Sequence, residues 1–395
     1  MSCASRRRGF VIPRATQEAL TFFQGQQRSG ILTEGVSINL SQGDPAFVTP
    51  EHIRRRAQKA IDEGHTHYER NRDLRAAIAD KLARENHITV DPDRGVLVTP
   101  GAHAALYQVM RAYLCPGDEV LMGDPGSYYF ANTVVNGGHP VPIPLRPERG
   151  FRLDPDEVAA RITPKTKILA LTNPDAPTGA VHRPEDIEAL AELAQRHDLL
   201  VISDEVYEYI NYGKVPHTSI AAFPQMAERT LTVNGLSKGW AMTGWRVGYV
   251  AGDSALVAPV AAIHHLNLIS INSIAQWAAL AALSGPQDFI ETARTHYREQ
   301  MELLMALLSE IPGVHATFPD GTYYAWTRIS DRAVDDAAFA RYLVTAKGVR
   351  VLPGSDFGWE GRGYLRLSCA LPRDQMKEGV KRLADGLDDF EPPKW

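Results

Sequence analysis

Cysteine is scarce in this sequence: the chain of 395 residues contains three, at positions 3, 115 and 369. They are far apart, and no two of them have the Cys-x-x-Cys spacing of a zinc or redox site. This scarcity excludes a framework of disulfide bonds and is typical of a reducing compartment. We therefore expect a cytoplasmic protein without a structural metal.

Long apolar runs and an excess of positive charge are also missing. No uninterrupted apolar segment approaches the length of a membrane span, and residues 1–30 lack the apolar block of a signal peptide. The net charge is −5, which gives no electrostatic reason to expect nucleic acid or an anionic membrane as a partner. The sequence has no internal repeat and no low-complexity segment. We expect a globular protein that acts on small molecules.

The length of the chain, 395 residues, exceeds one ordinary hydrophobic core and predicts two domains. Between residues 95 and 251, short apolar strands alternate with amphipathic helices, which is typical of an α/β domain with a largely parallel sheet. A long helical segment and a second group of strands follow. We predict an N-terminal arm over residues 1–45, a large domain over residues 46–285 and a smaller α+β domain over residues 286–395.

The ends of the predicted strands locate the candidate site. In parallel sheets, ligands bind beyond the carboxyl ends of the strands. The turns to inspect therefore follow Val98, Leu171, Ile202 and Val233. The first of these turns, Pro100-Gly101, opens a predicted helix, and the free N–H groups at a helix start form an anion site.

Residues 235–248 combine two cations, Lys238 and Arg246, with glycine and other small residues. Small residues let the backbone approach a ligand closely, and a lysine removed from water becomes a nucleophile. The planar guanidinium of Arg246 suits a phosphate. A cofactor with an aldehyde and a phosphate, such as pyridoxal 5′-phosphate, requires such a pair. Taken alone, the segment also fits an exposed turn with two solvated cations.

Asp204 ends a predicted strand, and Tyr207 follows three residues later. A carboxylate at a strand end can pair with a protonated ring nitrogen and keep a pyridine charged, while a nearby phenol can donate to a ring oxygen. A helix-capping aspartate and a partly buried tyrosine are the alternative.

Two other segments carry candidate site residues. Asn173 begins a rigid loop of proline, asparagine and glycine after the predicted strand 166–172. Arg366 lies on an otherwise apolar strand, 364–368, where an unpaired guanidinium is costly. Its partner is either a substrate carboxylate or a structural carboxylate.

Together these segments resemble the class I/II aminotransferases, pyridoxal-phosphate enzymes of fold type I. The resemblance extends from Gln42 to Ser368, and residues 235–248 satisfy every position of the family's lysine motif. It implies a large domain with a mostly parallel, mixed sheet flanked by helices, and a smaller α+β C-terminal domain. It also implies a homodimer with its sites at the subunit interface.

The resemblance assigns a role to each candidate residue. Lys238 would carry the cofactor as an aldimine and move the α-proton of the substrate. Asp204 would contact the pyridine nitrogen and Tyr207 the ring hydroxyl, whereas Arg366 would bind the substrate carboxylate. The phosphate would be bound by Arg246, Ser237 and the N–H groups of Gly101, Ala102 and His103. The other implied cofactor and substrate contacts are Gly43, Tyr68, Tyr128 and Asn173.

The sequence departs from the family in several places, one of them Gly235, where the family often has serine. Ala176 stands where the family has an asparagine that touches the ring hydroxyl and the substrate carboxylate. Tyr68 matches the tyrosine that reaches the neighbouring subunit's phosphate only with a gap, because His65 occupies the ungapped position. The segment before Tyr128 is one residue short, so that either Tyr128 or its neighbour stacks on the ring; we choose Tyr128.

The resemblance implies an aminotransferase that passes the α-amino group of an amino acid to a 2-oxo acid. Ala176 leaves open another outcome on the same scaffold, namely a lyase, cyclase, decarboxylase or O₂-dependent oxidase. A pyridoxal-phosphate sensor in a transcription regulator has less support, because residues 1–45 show no basic helix-turn-helix. A nicotinamide-dependent enzyme also has little support, because no G-x-G-x-x-G motif follows the first predicted strand.

Overall fold

The computed structural model describes residues 14–18, 35–126, 128–332 and 335–391. Residues 14–18 are helical, and the remainder of a helix predicted over residues 15–26 lies outside the described residues. No helix in the described part of the chain is both long and apolar enough to cross a membrane.

Strands and helices alternate through the large domain, and most of them follow the sequence pattern. The helices are α1 (Glu51–Asp62), α2 (Arg72–Lys81), α3 (Ala102–Tyr113), α4 (Tyr129–Val135), α5 (Pro155–Ala159), α6 (Pro184–Arg196), α7 (Ser254–Asn267), α8 (Ser273–Ser284), α9 (Asp288–Ser309), α10 (Asp336–Lys347) and α11 (Arg373–Asp389). The strands are β1 (Ile38–Asn39), β2 (Val96–Thr99), β3 (Glu119–Asp124), β4 (His139–Pro144), β5 (Thr166–Thr172), β6 (Leu200–Asp204), β7 (Thr230–Gly235), β8 (Gly248–Ala251), β9 (His315–Ala316), β10 (Tyr324–Arg328), β11 (Val349–Arg350), β12 (Leu352–Pro353) and β13 (Tyr364–Ser368).

The large sheet has seven strands in the order β2-β8-β7-β6-β5-β3-β4. Strand β8 is antiparallel to both of its neighbours, and the other pairs are parallel. This is the mixed, mostly parallel sheet that the sequence predicts. Because β5, β6 and β7 are parallel, their carboxyl ends meet at one edge, where ligands of such sheets bind.

Helices cover both faces of the large sheet. The core on one face includes Leu106 of α3 and Val260 of α7, and the core on the other includes Ile187 of α6 and Val158 of α5. Burial on both faces explains why all residues of β6 are buried and why this strand is a continuous apolar run until Ser203. Strand β4 contains prolines at the sheet edge, where a missing N–H is tolerated.

A smaller sheet of four strands, β12-β13-β10-β9, forms the second domain, with antiparallel neighbours throughout. Its core contains Met301 and Leu304 of α9 together with Leu367 of β13. Strand β1 pairs in parallel with β11, and Ile38 joins the same core. The described end of the N-terminal arm thus packs on the small domain. The domain boundary near residue 285 stays a prediction.

The sequence pattern does not predict α4, α7 and α8. Helix α8 is rich in alanine and is buried on several sides, so it lacks the polar stripe of an amphipathic helix. Helix α7 contains Pro259, which normally marks a helix boundary. Helix α4 begins after Tyr128, whose φ is 58° and whose side chain makes no cap, so the usual start signal is missing.

Candidate cofactor and substrate site

The segments selected from the sequence meet at one edge of the large sheet. Strand β5 leads to Asn173, β6 ends at Asp204, and β7 leads to Lys238. Strand β6 lies between β5 and β7, so these residues come from three neighbouring strands. Their side chains are brought together by the parallel topology, because parallel strands end at the same edge.

Lys238 extends from the large sheet toward the small domain. Its Nζ atom donates hydrogen bonds to the carbonyl oxygen of Gly43 at 2.6 Å and to the hydroxyl of Tyr323 at 3.0 Å. Burial lowers the pKa of the Lys238 amine. Both hydrogen-bond acceptors are uncharged, so they offset only part of the cost of burying an ammonium. More of the amine is therefore neutral and nucleophilic at neutral pH.

Asp204 is a buried carboxylate at the end of β6 and is 9% exposed. Its Oδ1 atom accepts a hydrogen bond from the backbone N–H of Val206 at 3.2 Å. Burial raises the pKa of Asp204 to about 7, and the neighbouring carboxylates of Glu205 and Asp175 act in the same direction. A buried carboxylate of this kind is stabilised by a cation that reaches it, and a protonated pyridine nitrogen is such a cation.

A buried polar network behind Asp204 is not apparent from the sequence. Glu205 is fully buried and accepts hydrogen bonds from Ser203 Oγ at 2.8 Å and Asn86 Nδ2 at 3.1 Å, and also from Ser219 Oγ. These bonds tie the end of β6 to the segment that follows α2. The network therefore fixes the backbone that carries Asp204.

Glu205, Glu208 and His217 are close enough to hold a metal ion. However, the ammonium of the buried residue Lys81 contacts the carboxylate of Glu208. The Nε2 atom of His217 donates to the carboxylate of Glu205 at 3.2 Å. Burial lowers the pKa of His217, but the Glu205 contact outweighs burial, and the net pKa is raised. Positive charge is thus already supplied by side chains, and we assign the cluster to an ion-pair network rather than to a metal.

Three tyrosines surround the Lys238 amine. The hydroxyl of Tyr207 donates to that of Tyr324 at 3.0 Å, and the Nζ atom lies 5.5 Å from the ring centre of Tyr207 and 5.6 Å from that of Tyr323. Burial raises the pKa of Tyr324, but the cations of Arg366 and Lys238 outweigh it, and the net pKa is lowered. Tyr323 and Tyr324 are adjacent residues at the start of β10. Their hydroxyl contacts depend on how the two domains meet.

Arg246 and the start of α3 form an anion site. The guanidinium of Arg246 donates to the carbonyl oxygen of Thr243 at 2.8 Å and lies against Gly101, whose φ is +87°. No side chain caps the start of α3, so the N–H groups of Ala102 and His103 are available to a ligand. Positive charge and free N–H donors at one helix start are what a phosphate requires.

Gly248 explains why the lysine motif needs small residues. A side chain at Gly248 would bring its Cβ within 2.4 Å of the backbone nitrogen of Ala102. Strand β8, which begins two residues after Arg246, therefore packs directly against the start of α3. Ser237 is half-buried on the same segment, and its proposed contact with the phosphate stays a prediction.

Arg366 is buried on β13, with 8% of its surface exposed. Its Nη2 atom donates to the carbonyl oxygen of Ser41 at 3.2 Å, while its Nε atom has no hydrogen-bond partner among the described residues. The guanidinium carbon lies 4.0 Å from the ring centre of Tyr324 and 5.0 Å from that of Phe357. Within the described residues no carboxylate forms an ion pair with Arg366. An incoming carboxylate would supply the missing acceptor.

The two adjacent tyrosines after β3 point in different directions. Tyr129 is buried, and its hydroxyl donates to the carbonyl oxygen of Leu171 at 3.2 Å. Tyr128 is 47% exposed, and its ring meets His103 edge-on at 4.4 Å. Tyr129 therefore belongs to the core. The stacking of Tyr128 on the cofactor ring stays a prediction.

The side chain of Asn173 is engaged by its own loop. Its Nδ2 atom donates to the carbonyl oxygen of Thr218 at 3.2 Å, and its Oδ1 atom accepts from the backbone N–H of His182 at 3.0 Å. These bonds hold the loop in place beside Asp204. The contact between Asn173 and the cofactor stays a prediction.

Ala176, the departure from the family's loop, is 8% exposed and packs in the core that contains Tyr207 and Tyr324. Its neighbour Asp175 is buried, and burial raises the pKa of that carboxyl to about 7. The Oδ2 atom of Asp175 accepts a hydrogen bond from Thr178 Oγ1 at 2.5 Å. The loop therefore keeps its shape through Asp175 and Thr178, although the family's amide is missing.

Tyr68 has an exposed side chain, and its contact with the cofactor stays a prediction. It is 80% exposed, yet the adjacent backbone is held firmly: the carbonyl oxygen of Glu69 accepts hydrogen bonds from Ser270 Oγ at 2.6 Å and Gln276 Nε2 at 2.9 Å. An exposed aromatic side chain on an anchored segment is typical of a contact with another molecule.

Three observations test the fit of pyridoxal 5′-phosphate to this site. The Lys238 amine is buried beside uncharged acceptors, Asp204 is a buried carboxylate without a cation bonded to it, and an arginine lies at an uncapped helix start. Pyridoxal 5′-phosphate has a group that matches each of them: an aldehyde for the amine, a ring nitrogen for the carboxylate and a phosphate for the arginine. The residues therefore fit this cofactor.

Comparisons with known proteins agree with the geometry. The family model "Aminotransferase class I and II" matches residues 36–383. An aspartate aminotransferase of Pyrococcus abyssi is 39% identical over 88% of this chain and 90% of its own length. An arginine–pyruvate transaminase of Pseudomonas aeruginosa is 40% identical over 87% of this chain and 88% of its own.

Solved structures share the whole fold. The aspartate aminotransferase of Thermus thermophilus, solved with maleate, superposes with a TM-score of 0.88 and 36% identity over 95% of this chain and 100% of its own. The family model covers most of the chain, and the similar proteins named above cover it almost fully. Together they show the family of this chain. The chain belongs to the class I and II aminotransferase family and is a pyridoxal-phosphate-dependent aminotransferase.

Proposed function

We propose that Lys238 binds the cofactor's aldehyde and moves the α-proton of the substrate. The observation that carries this proposal is the position of its amine, buried and held 2.6 Å from the carbonyl oxygen of Gly43 at the edge of the large sheet. Burial lowers the pKa of the amine, so that the neutral, nucleophilic form is more populated. When bound, pyridoxal phosphate supplies an aldehyde that condenses with amines and a ring that withdraws electrons.

Asp204 and Tyr207 orient the ring in this proposal. The carboxylate of Asp204 holds a proton on the ring nitrogen, because charge pairing at a buried site favours both charged forms. The Tyr207 hydroxyl faces the ring oxygen while keeping its contact with Tyr324. The network around Glu205 holds the backbone that carries Asp204, so that neither group has to move during the reaction.

Arg246, Ser237 and the N–H groups of Gly101, Ala102 and His103 hold the phosphate in this proposal. The positive helix start and the guanidinium act on the same anion. Burial lowers the pKa of His103, and Arg246 lowers it further. The imidazole is therefore neutral and does not compete with Arg246 as a cation.

Arg366 binds the α-carboxylate of the amino acid and of the 2-oxo acid that accepts its amino group. The unpaired Nε atom and the planar guanidinium over Tyr324 suit bidentate binding. Gly43 leaves room on the opposite side, because a side chain there would place its Cβ 3.1 Å from the Tyr324 hydroxyl. The substrate thus fits between Arg366, Gly43 and Lys238.

The alternative outcomes that Ala176 leaves open, such as elimination or oxidation, are not favoured, because the similar proteins are aminotransferases. The shape of the loop around Ala176 is kept by Asp175 and Thr178. We therefore propose ordinary amino transfer between an amino acid and a 2-oxo acid.

We also propose a homodimer in which Tyr68 reaches the phosphate in the neighbouring subunit. The exposure of Tyr68 and the anchoring of Glu69 support this contact. Exposed apolar side chains add support, since Val48, which lines one cavity with Arg246, is 74% exposed and Leu266 is 83% exposed, and a second copy would cover such a surface. A cytoplasmic location is our further proposal, supported by the free thiols of Cys115 and Cys369.

An absorption spectrum tests the proposed reaction. The purified protein should show the colour of bound pyridoxal phosphate, and Lys238→Ala should abolish this covalent form. Single amino acids should convert the cofactor stoichiometrically to its amine form, with turnover only after a 2-oxo acid is added. Release of ammonia or consumption of O₂ without an acceptor would instead show another outcome on this scaffold.

A further inference from the structure

The hydroxyl of Tyr323 has no role in the chemistry described so far, yet it touches the centre of the site. It donates to the carbonyl oxygen of Gly43 at 2.7 Å and accepts from Lys238 Nζ at 3.0 Å. The same Nζ atom donates to the same carbonyl at 2.6 Å. The amine, the phenol and the carbonyl thus form a closed triangle in which each group contacts the other two.

The position of this hydroxyl is fixed by its surroundings. Tyr323 is fully buried, and its ring packs against Tyr207, Tyr297 and Tyr324 with centroid distances of 5.7, 5.2 and 4.8 Å. Its carbonyl oxygen accepts a hydrogen bond from the backbone N–H of Cys369 at 2.9 Å. A phenol held in this way points at one place in the site and cannot follow a moving amine.

The triangle restricts the Lys238 amine when this amine is not bonded to the cofactor. A lysine side chain has four rotatable carbon bonds, and a free amine spreads over many positions unless it is bonded. Here the phenol's proton is committed to Gly43, so that its oxygen offers a lone pair to the N–H of Lys238. The two acceptors fix the direction of the amine and stabilise its ammonium form against the cost of burial.

We propose that Tyr323 is a positioning residue that holds the free amino group of Lys238 against Gly43 while the substrate occupies the cofactor. This inference rests on the proposed role of Lys238. In that interval Nζ takes a proton from the substrate Cα, the electron pair of the C–H bond stays with the substrate, and Nζ then gives up the same proton to the cofactor. A fixed amine returns that proton efficiently, whereas a mobile amine exchanges it with water.

Tyr323→Phe tests the proposal, because it removes the hydroxyl and keeps the ring. Tyr212→Phe is the matched control: Tyr212 lies in the same core, and its buried hydroxyl donates to the carbonyl oxygen of Thr322, away from Lys238. Loss of stability common to both variants measures the removal of a buried hydroxyl alone. A difference between them measures the contact with Lys238.

The first measurement uses the protein without cofactor. Competitive labelling with isotopic acetic anhydride over a range of pH, read by mass spectrometry of the peptide that contains Lys238, gives the pKa of this amine. Tyr323→Phe should lower the pKa relative to the wild type, because the ammonium loses an acceptor, and Tyr212→Phe should leave it unchanged. Equal pKa values in Tyr323→Phe and the wild type would overturn the proposal.

The second measurement follows the proton in the loaded enzyme. A single turnover with an α-deuterated amino acid in water should retain less deuterium in the aminated cofactor for Tyr323→Phe, with kcat about tenfold lower and KM within about twofold. Unchanged retention would count against the proposal. Covalent cofactor binding by Lys238→Ala would show that the proposed role of Lys238 is wrong. The pKa of Lys238 measured by labelling without cofactor would still test whether the Tyr323 hydroxyl contacts this amine.

Discussion

The Nη2 atom of Arg246 lies 2.5 Å from the point at which a side chain on Gly101 would place its Cβ. A larger residue at position 101 would push this guanidinium aside, and it would also strain the backbone, because Gly101 has a φ of +87° that other residues rarely adopt. Glycine at this position therefore lets the guanidinium and the start of α3 face the same anion.

Gly101→Ala should weaken cofactor binding by about 10- to 100-fold, because it displaces Arg246 and strains the helix start. Titration of the cofactor-free protein with pyridoxal phosphate measures the effect. Gly244→Ala, in the same motif, is the control, since a Cβ there meets nothing within 4 Å and its φ is ordinary. Equal losses in both variants would contradict the proposed phosphate site.

Arg366→Lys should raise KM for both the amino acid and the 2-oxo acid and lower kcat/KM by about 10- to 100-fold. Lysine keeps the charge but loses the planar pair of donors that a carboxylate accepts. Steady-state kinetics check this, with Arg328→Lys on the neighbouring strand as control, since Arg328 is exposed and contacts Asp331 at 3.5 Å. The spectrum of the bound cofactor should not change in either variant. An unchanged KM in Arg366→Lys would remove Arg366 from the substrate site.

Asp204 should make the stability of the cofactor-free protein depend on pH. Burial raises its pKa from 3.8 to about 7, so the folded protein binds more protons than the unfolded protein between these values, and stability falls as the pH rises through this window. Asp204→Asn removes the effect, worth on the order of 2–4 kcal/mol above the window. Thermal unfolding between pH 4 and 8 measures it. Parallel curves for variant and wild type would contradict this account.

Mixed dimers test the proposed contact of Tyr68. Lys238→Ala and Tyr68→Ala homodimers should each be weakly active, because each lacks one part of both sites. After unfolding and refolding together, each mixed dimer should contain one complete site, and activity should recover to about a quarter of the wild-type value. Activity that does not recover on mixing would show that Tyr68 acts in its own subunit or not at all.

The sequence identified the groups of the site but not all of their contacts. Four charged residues could be selected because each stands beside glycine, at a strand end or on an apolar strand. A charged side chain in such a place is costly unless it has a partner. These residues are Lys238, Asp204, Arg246 and Arg366. Such local conflicts between charge and surroundings are visible without a structure.

The sequence also determined the class of the fold, since strands buried on both faces are continuous apolar runs and their alternation with helices predicts a parallel sheet. It could not predict α8, because a helix buried on several sides has no polar stripe to give it a period.

Only the tertiary structure decided which groups share the centre of the site. Gly43, Lys238 and Tyr323 are separated by 195 and 85 residues, and no local pattern records that they meet. The different environments of Tyr128 and Tyr129 also depend on the turn after β3, where the φ of Tyr128 is positive: the ring of Tyr128 is exposed and that of Tyr129 lies in the core. Residue type and spacing determine which chemistry is available, whereas the packing of two domains determines which atoms come within hydrogen-bond distance.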